Sequence, residues 1–232
     1  MKKIFLYVIT GCFLISCDKT ENEQDILDLF FGESNEQNNT SYEQMEPIEN
    51  AYFQDFSSPE SSDWKAANDE YGIRGIKNGK FVIQAKKSFR IHQNFTIDPD
   101  HDFQIEISMR IDFASVEQEK QCGIIYGVNN NKTFNVFSLR NNTGTPLYIG
   151  EYDGSAYKKW YEKRSALSTN DYHLYTIRKH GIRMSFYVDK VFKYETEYKN
   201  FSANYGFLMP EYGEISVDYV RADYLLSVMN ME

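Results

Sequence analysis

Phe103-Gln-Ile-Glu-Ile-Ser-Met-Arg-Ile111 decides the fold. Phe103, Ile105, Ile107, Met109 and Ile111 are apolar, while Gln104, Glu106, Ser108 and Arg110 between them are polar. Successive side chains of an extended chain point to opposite faces, so this strict alternation marks a strand buried on one side. Ile182, Met184, Phe186 and Val188 repeat it against Arg183, Ser185, Tyr187 and Asp189. Phe81, Ile83 and Ala85 do so more briefly, as do Ile215, Val217 and Tyr219.

Turn residues separate these runs: Lys77-Asn-Gly79, Asn129-Asn-Asn131, Asn141-Asn-Thr-Gly144, Asp153-Gly154, His180-Gly181 and Asp189-Lys190. Asn, Asp and Gly tolerate positive φ and so can reverse a hairpin. The pattern predicts about a dozen short strands and no helix of four turns, the pattern of a β-sandwich or barrel. No fixed-period repeat is present, which argues against a propeller or solenoid.

Composition agrees. Aromatics make up 16% of the 232 residues, with 18 Tyr and 17 Phe but 2 Trp, and Tyr and Phe suit a pleated, half-buried surface. Mean hydropathy is negative, which excludes a polytopic membrane protein. The formal net charge is −9, which argues against nonspecific nucleic-acid binding, since that needs a basic face. The acidity is local: residues 18–50 hold ten Asp/Glu and one Lys, whereas 51–232 hold 24 acids and 22 bases.

Residues 1–17 read MKKIFLYVITGCFLISC. Lys2 and Lys3 precede an apolar run, Ile4 to Ile15, that is too short to span a bilayer and so reads as a targeting segment. Residues 18–50 are rich in Glu, Gln, Asn and Ser and cannot bury enough apolar area to offset chain entropy, apart from Ile26-Leu-Asp-Leu-Phe-Phe31. Such a tether has a root-mean-square reach of roughly 30 Å. The predicted division is therefore 1–16 leader, 17–50 tether, 51–226 sandwich and 227–232 tail. Cys12 leaves with the leader, and Cys122 in Cys122-Gly-Ile-Ile-Tyr126 reads as a small buried hydrophobe with no internal disulfide partner.

Two resemblances follow. Leu14-Ile15-Ser16-Cys17 resembles the lipobox of bacterial lipoproteins. That implies cleavage after Ser16, acylation of Cys17, anchorage in a lipid bilayer and a place in the bacterial cell envelope, at the outer membrane. Asp18, Glu21, Glu23 and Asp25 fit a surface-export signal in some bacterial groups, and an Asp after the Cys is a retention signal in others; both readings stay open.

The second resemblance begins at Phe53-Gln-Asp-Phe56 and Trp64 and continues through Ile76-Lys-Asn-Gly-Lys-Phe-Val-Ile83, the strand from Asp102, Gly123-Ile-Ile-Tyr-Gly127 and Phe134-Asn-Val-Phe-Ser-Leu139. The hairpin from Tyr175 to Asp189, then Asn204-Tyr-Gly-Phe207 and Ile215-Ser-Val-Asp-Tyr-Val220, complete it. The order is similar to that of the concanavalin A-like lectin/glucanase superfamily, in its laminin-G-like branch. The resemblance implies an all-β, two-sheet antiparallel jelly-roll sandwich with one concave sheet. Its members include carbohydrate-binding modules, glycosidases and adhesion modules.

Catalytic chemistry is poorly represented. A retaining glycosidase needs two carboxylates about 5 Å apart; Glu195 and Glu197 share a face, as do Glu214 and Asp218, but neither pair matches the acid spacing of the glucanases. His92, His101, His173 and His180 lack metal-ligand spacing. Asp98, Asp100 and Asp102 alternate as calcium ligands would, yet the EF-hand template fails because its sixth and twelfth places hold Phe103 and Met109. A different Ca2+ geometry stays open beside the plain reading of an acidic turn. The best ligand candidates are Arg140, Tyr148, Tyr152, Tyr157 and Trp160, since an aromatic beside hydrogen-bonding groups suits sugar or peptide recognition; the plain alternative is that these rings pack into the sandwich or cover its edge. The reading favoured is a membrane-anchored, noncatalytic carbohydrate-binding module. A glycoside-active enzyme and an adhesion or scaffold subunit with a surface-protein ligand are the alternatives.

Overall fold

A computed structural model of the chain describes residues 47–58, 64–93, 97–113, 115–129, 132–198 and 204–226. The leader, Cys17, the tether through residue 46 and the tail 227–232 lie outside the described residues. The described residues form strands and no helix: β1 (Pro47–Gln54), β2 (Ala67–Asn68), β3 (Gly72–Lys77), β4 (Lys80–Ala85), β5 (Phe89–Gln93), β6 (Phe103–Asp112), β7 (Gln121–Tyr126), β8 (Phe134–Arg140), β9 (Leu147–Tyr152), β10 (Tyr157–Lys163), β11 (His173–His180), β12 (Arg183–Val188), β13 (Val191–Glu197), β14 (Tyr205–Met209) and β15 (Glu214–Leu225).

Nine strands form one antiparallel sheet, eight of them in the order β13-β12-β11-β6-β15-β4-β3-β2 and β1 off this path. β4 pairs with the first half of β15, and β1 pairs with its second half. The other six form a second antiparallel sheet, β10-β9-β8-β7-β14-β5. β6 lies inside the larger sheet, between β11 and β15, and its apolar face meets the core: Phe103, Ile105, Ile107, Met109 and Ile111 are all buried.

The core lies where the sheets' apolar faces meet. Ile83, Ile105 and Phe186 of the larger sheet join Ile124, Phe137 and Phe207 of the smaller in one buried cluster. Phe137 packs edge-on against both Phe186 (5.3 Å between centroids) and Tyr175 (5.4 Å). Trp64 bridges Phe81 at 4.9 Å and Phe207 at 5.8 Å, and its Nε1 donates to Tyr52 Oη at 2.7 Å, which satisfies the indole's one polar group. Cys122 is fully buried, and burial pushes its thiol far above the usual range, so it is inert as a nucleophile.

The structure departs from simple alternation in two places. Ile182, predicted to lead an inward row, is 72% exposed, because the chain is still turning through Gly181 (φ 56°) and β12 starts only at Arg183. Tyr219, predicted to share a face with Ile215 and Val217, turns outward against Phe53 at 6.4 Å. A bulge between Val217 and Tyr219 inserts Asp218, and one extra residue reverses the parity of everything after it. Val220 and Ala222 then carry the core face onward.

Asp189 and Lys190 both adopt positive φ, 52° and 68°, where a two-residue hairpin turn requires it. The Asp189 carboxylate fixes this turn, accepting from Leu174 N at 2.8 Å and lying 2.7 Å from His173 Nδ1.

Candidate functional site

The outward face of the smaller sheet is not the polar surface that a solvent-facing sheet usually shows. β8 is apolar on both faces. Phe137 and Leu139 enter the main core, while Phe134 and Val136 join Ile125 and Tyr148 in a second buried cluster, with Val128, Tyr152 and Leu208 packed against it. Register accounts for this: Phe134 pairs with Tyr152, Ser138 with Tyr148, and Ile125 with Val136.

Tyr152 and Tyr157 form the accessible part, packed over the buried Phe134. Phe134 stacks on Tyr152 at 5.0 Å, Tyr152 lies 4.9 Å from Tyr157, and Tyr157 meets Phe134 edge-on at 6.3 Å. Phe134 is the floor, and Tyr157, 45% exposed, is the rim. Tyr152 is pinned by its hydroxyl, which donates to Gly154 O at 3.0 Å. The turn that presents Tyr157 is held by Asp153, whose carboxylate accepts from Ala156 N and Ser155 N, each at 2.9 Å, and from Ser155 Oγ at 2.8 Å. Those bonds hold the Asp153 carboxyl well below the usual carboxylate range, so the turn keeps its anionic cap at neutral pH.

A Cβ on Gly150 would lie 2.3 Å from Lys158 O and 3.1 Å from the Tyr148 ring, so only glycine lets β9 meet β10 with Tyr148 folded over it. β5 and β8 are separated by β14 and β7, which puts their backbones roughly 14 Å apart at ordinary strand spacing. Arg90 of β5 nevertheless brings its guanidinium carbon to 4.9 Å from the Phe134 centroid. The two side chains reach toward each other across the face.

Of the residues expected to bind ligand, the structure brings together Arg140, Tyr148, Tyr152 and Tyr157 on this face. Arg140 lies over the Tyr148 ring (5.1 Å) and pairs with Glu162 at 2.6 Å. Burial raises the Tyr148 and Tyr157 phenols above their ordinary range, against the opposing pull of Arg140 and Arg90 respectively, so both remain hydroxyl donors. Trp160 is the exception. A bulge between Lys159 and Tyr161 puts Trp160 and Tyr161 both against the main core, away from the three rings. Phe134 and Arg90 were missed. For Phe134 a signal existed, since Phe134-Asn-Val-Phe-Ser-Leu139 is apolar at both parities. For Arg90 none did, because only sheet order brings it near.

The acids sit elsewhere and are engaged. Glu195 accepts from Ser185 Oγ at 2.9 Å and pairs with Arg183; Glu214 accepts from Arg110 at 3.0 Å and Gln84 at 2.8 Å; Asp218 pairs with Lys80. All three belong to the larger sheet. Asp98 caps its own turn through Asp100 N at 2.9 Å and His101 Nδ1 at 3.0 Å. Asp102 is buried and accepts from Gly181 N at 2.8 Å and Lys179 Nζ at 3.3 Å, with His180 Nε2 at 3.8 Å. Asp98, Asp100 and Asp102 therefore do not converge, and among the described residues no three His, Cys, Asp or Glu side chains are grouped to hold a metal.

The larger sheet's outward face has a polar groove of about 330 Å³ whose lining includes Gln104, Glu106, Arg178, Tyr219, Arg221 and Asp223. Its groups are bonded to one another: Arg178 donates twice to Gln104 Oε1 (2.9 and 2.6 Å), Gln104 Nε2 donates to Glu106 at 2.9 Å, and Asp223 takes Arg221 at 2.7 Å and Asn50 at 2.9 Å. A groove satisfied in this way has less to offer a ligand than the three-ring face.

No protein-family model matches the sequence, and no curated protein matches it. Solved structures match its fold. One, described with endo-acting O-glycanases that prominent members of the human gut microbiota express to initiate mucin breakdown, aligns at TM-score 0.57 and 13% identity, covering 77% of this chain and 100% of that one. The laminarinase catalytic domain of Thermotoga maritima aligns at 0.56 and 15% identity, covering 80% of this chain and 100% of its own. The endo-β-1,3-glucanase of Pyrococcus furiosus aligns at 0.52 and 16%, covering 76% and 94%. At such identities the likeness establishes the fold alone, a concanavalin A-like jelly roll of two antiparallel sheets.

Proposed function

We propose that the chain is a lipid-anchored envelope protein whose sandwich binds carbohydrate on the outward face of the smaller sheet without cleaving it. The observation that carries this reading is the Phe134–Tyr152–Tyr157 cluster, with Tyr157 half-exposed and Arg90 over Phe134. A sugar ring offers a C–H face to an aromatic and hydroxyls to polar neighbours, and this cluster supplies both kinds of partner. The carboxylates of that sheet's strands, Glu151 and Glu162, are each engaged by lysine or arginine, which favours binding over hydrolysis. The catalytic alternative draws on the glycanases and glucanases among the structural neighbours.

Affinity electrophoresis of the full chain through gels containing polysaccharides tests the reading. Tyr157→Ala should lose retention by roughly tenfold in affinity, the scale of a contact residue at the centre of an interface, with its near-UV circular dichroism preserved. Retention unchanged in this variant would move the site off this face; release of reducing ends during incubation would favour the enzyme. For the anchor, Cys17→Ser should shift the protein from the membrane to the soluble fraction, because acyl chains contribute about 0.8 kcal/mol per buried CH₂ and two or more hold stably. A serine variant that stays with membranes would end the lipoprotein reading.

A further inference from the structure

Among the described residues, the ion pairs on this face do not engage Arg90. Glu162 takes Arg140 at 2.6 Å and Lys159 at 3.2 Å, while Lys158 is held by Glu151 at 3.4 Å and Asp153 at 3.3 Å. Arg90 is different. Its side chain has no ion pair or hydrogen bond among the described residues, and its charge rests over the Phe134 ring at 4.9 Å. It is close enough to Tyr157 to draw that phenol down against the upward push of burial. β5, β7, β8 and β14 contain no Asp or Glu at all. The strands of this sheet carry Arg90, Arg140, Lys158, Lys159 and Lys163 against Glu151 and Glu162, in a chain whose net charge is −9. Counted over strand residues this sheet is positive, with Asp153 and Glu119 of the adjoining turns offsetting Lys158 and Arg140 and leaving Arg90 without an offsetting acid among the described residues.

A guanidinium lying over an aromatic is attracted through its flat face and keeps its N–H edge for another partner. That edge is a planar fork which matches a carboxylate or a sulfate in two parallel bonds. Neutral hydroxyls can accept from it but do not balance its charge. Resting on the carbohydrate reading above, we infer that the ligand is an acidic glycan. Arg90 takes the carboxylate or sulfate of a sugar unit, while Tyr157 and Tyr152 bear its ring.

The full chain is assayed by affinity electrophoresis and calorimetry on polygalacturonate and on the same polymer after carboxyl reduction, then on dextran sulfate and unmodified dextran. Binding to an acidic polymer, with its neutral counterpart about tenfold weaker or more, is the expected result. Arg90→Gln should abolish that preference, a loss on the order of tenfold that matches one charge-assisted hydrogen bond. Arg90→Lys should restore it in part, since lysine keeps the charge but not the fork. Retention on polygalacturonate alone assigns a carboxylate, and retention on dextran sulfate alone assigns a sulfate. Equal binding to a polymer and its neutral counterpart, or full acidic binding by a folded Arg90→Gln, overturns the acidic assignment and leaves carbohydrate binding standing. Failure to bind any polymer overturns both.

Discussion

Lys179→Met should destabilise the domain by about 3 kcal/mol or more, the usual cost of removing one partner of a buried ion pair. Lys179 and Asp102 are 6% and 5% exposed. Lys179 Nζ lies 3.3 Å from Asp102 Oδ1 and donates to His101 O at 3.1 Å, and the ammonium sits 5.2 Å from the Tyr198 ring. Methionine fills a similar volume but strands a carboxylate in a dry site without its ammonium, with Gly181 N as a remaining donor. Urea denaturation should show a lower midpoint at unchanged slope. Combining Lys179→Met with Asp102→Asn should recover part of the loss, since the stranded charge is then removed. A single variant as stable as the parent would show that the pair is not balanced by its lysine.

Phe186→Ala should cost about 3–5 kcal/mol, the range for a truncated core phenylalanine. Phe186 is fully buried and touches rings of both sheets, Phe137 at 5.3 Å, Tyr126 at 6.0 Å and Tyr194 at 6.3 Å. The neighbours cannot close the cavity without moving one sheet toward the other. Thermal unfolding should shift down by several degrees. If carbohydrate binds where we propose, a folded fraction of this variant should still bind, because Phe186 lies on the inner side and the three rings on the outer. Loss of affinity in the folded fraction would show that core packing sets the shape of the outer face.

The sandwich was legible in β6 because one face meets solvent and the other meets core, so hydropathy records the period directly. β15 was misread after Val217 because the bulge at Asp218 depends on how β6 and β15 pair, which residue types alone do not encode. Ile182 was misplaced for a related reason: an apolar residue in phase with a strand can belong to the preceding turn. Tyr148, Tyr152 and Tyr157 could be picked out because they crowd one short segment. Trp160 followed them in sequence but not in space, since the bulge after Lys159 turns it inward. Arg90 reaches the rings across two intervening strands, a relation created by topology.

Among the described residues, four of the open edges of the two sheets bear on how copies of the protein coexist. β2 is two residues long. β13 carries Lys193, Glu195 and Glu197 and is bulged, and β10 carries Lys158, Lys159 and Lys163 and is also bulged. β5 carries Arg90. Charge, brevity and local twist at such margins oppose strand-by-strand accretion between neighbours. If the chain is lipid-anchored as we propose, molecules gathered on the membrane would resist pairing at these edges, leaving each ring cluster open.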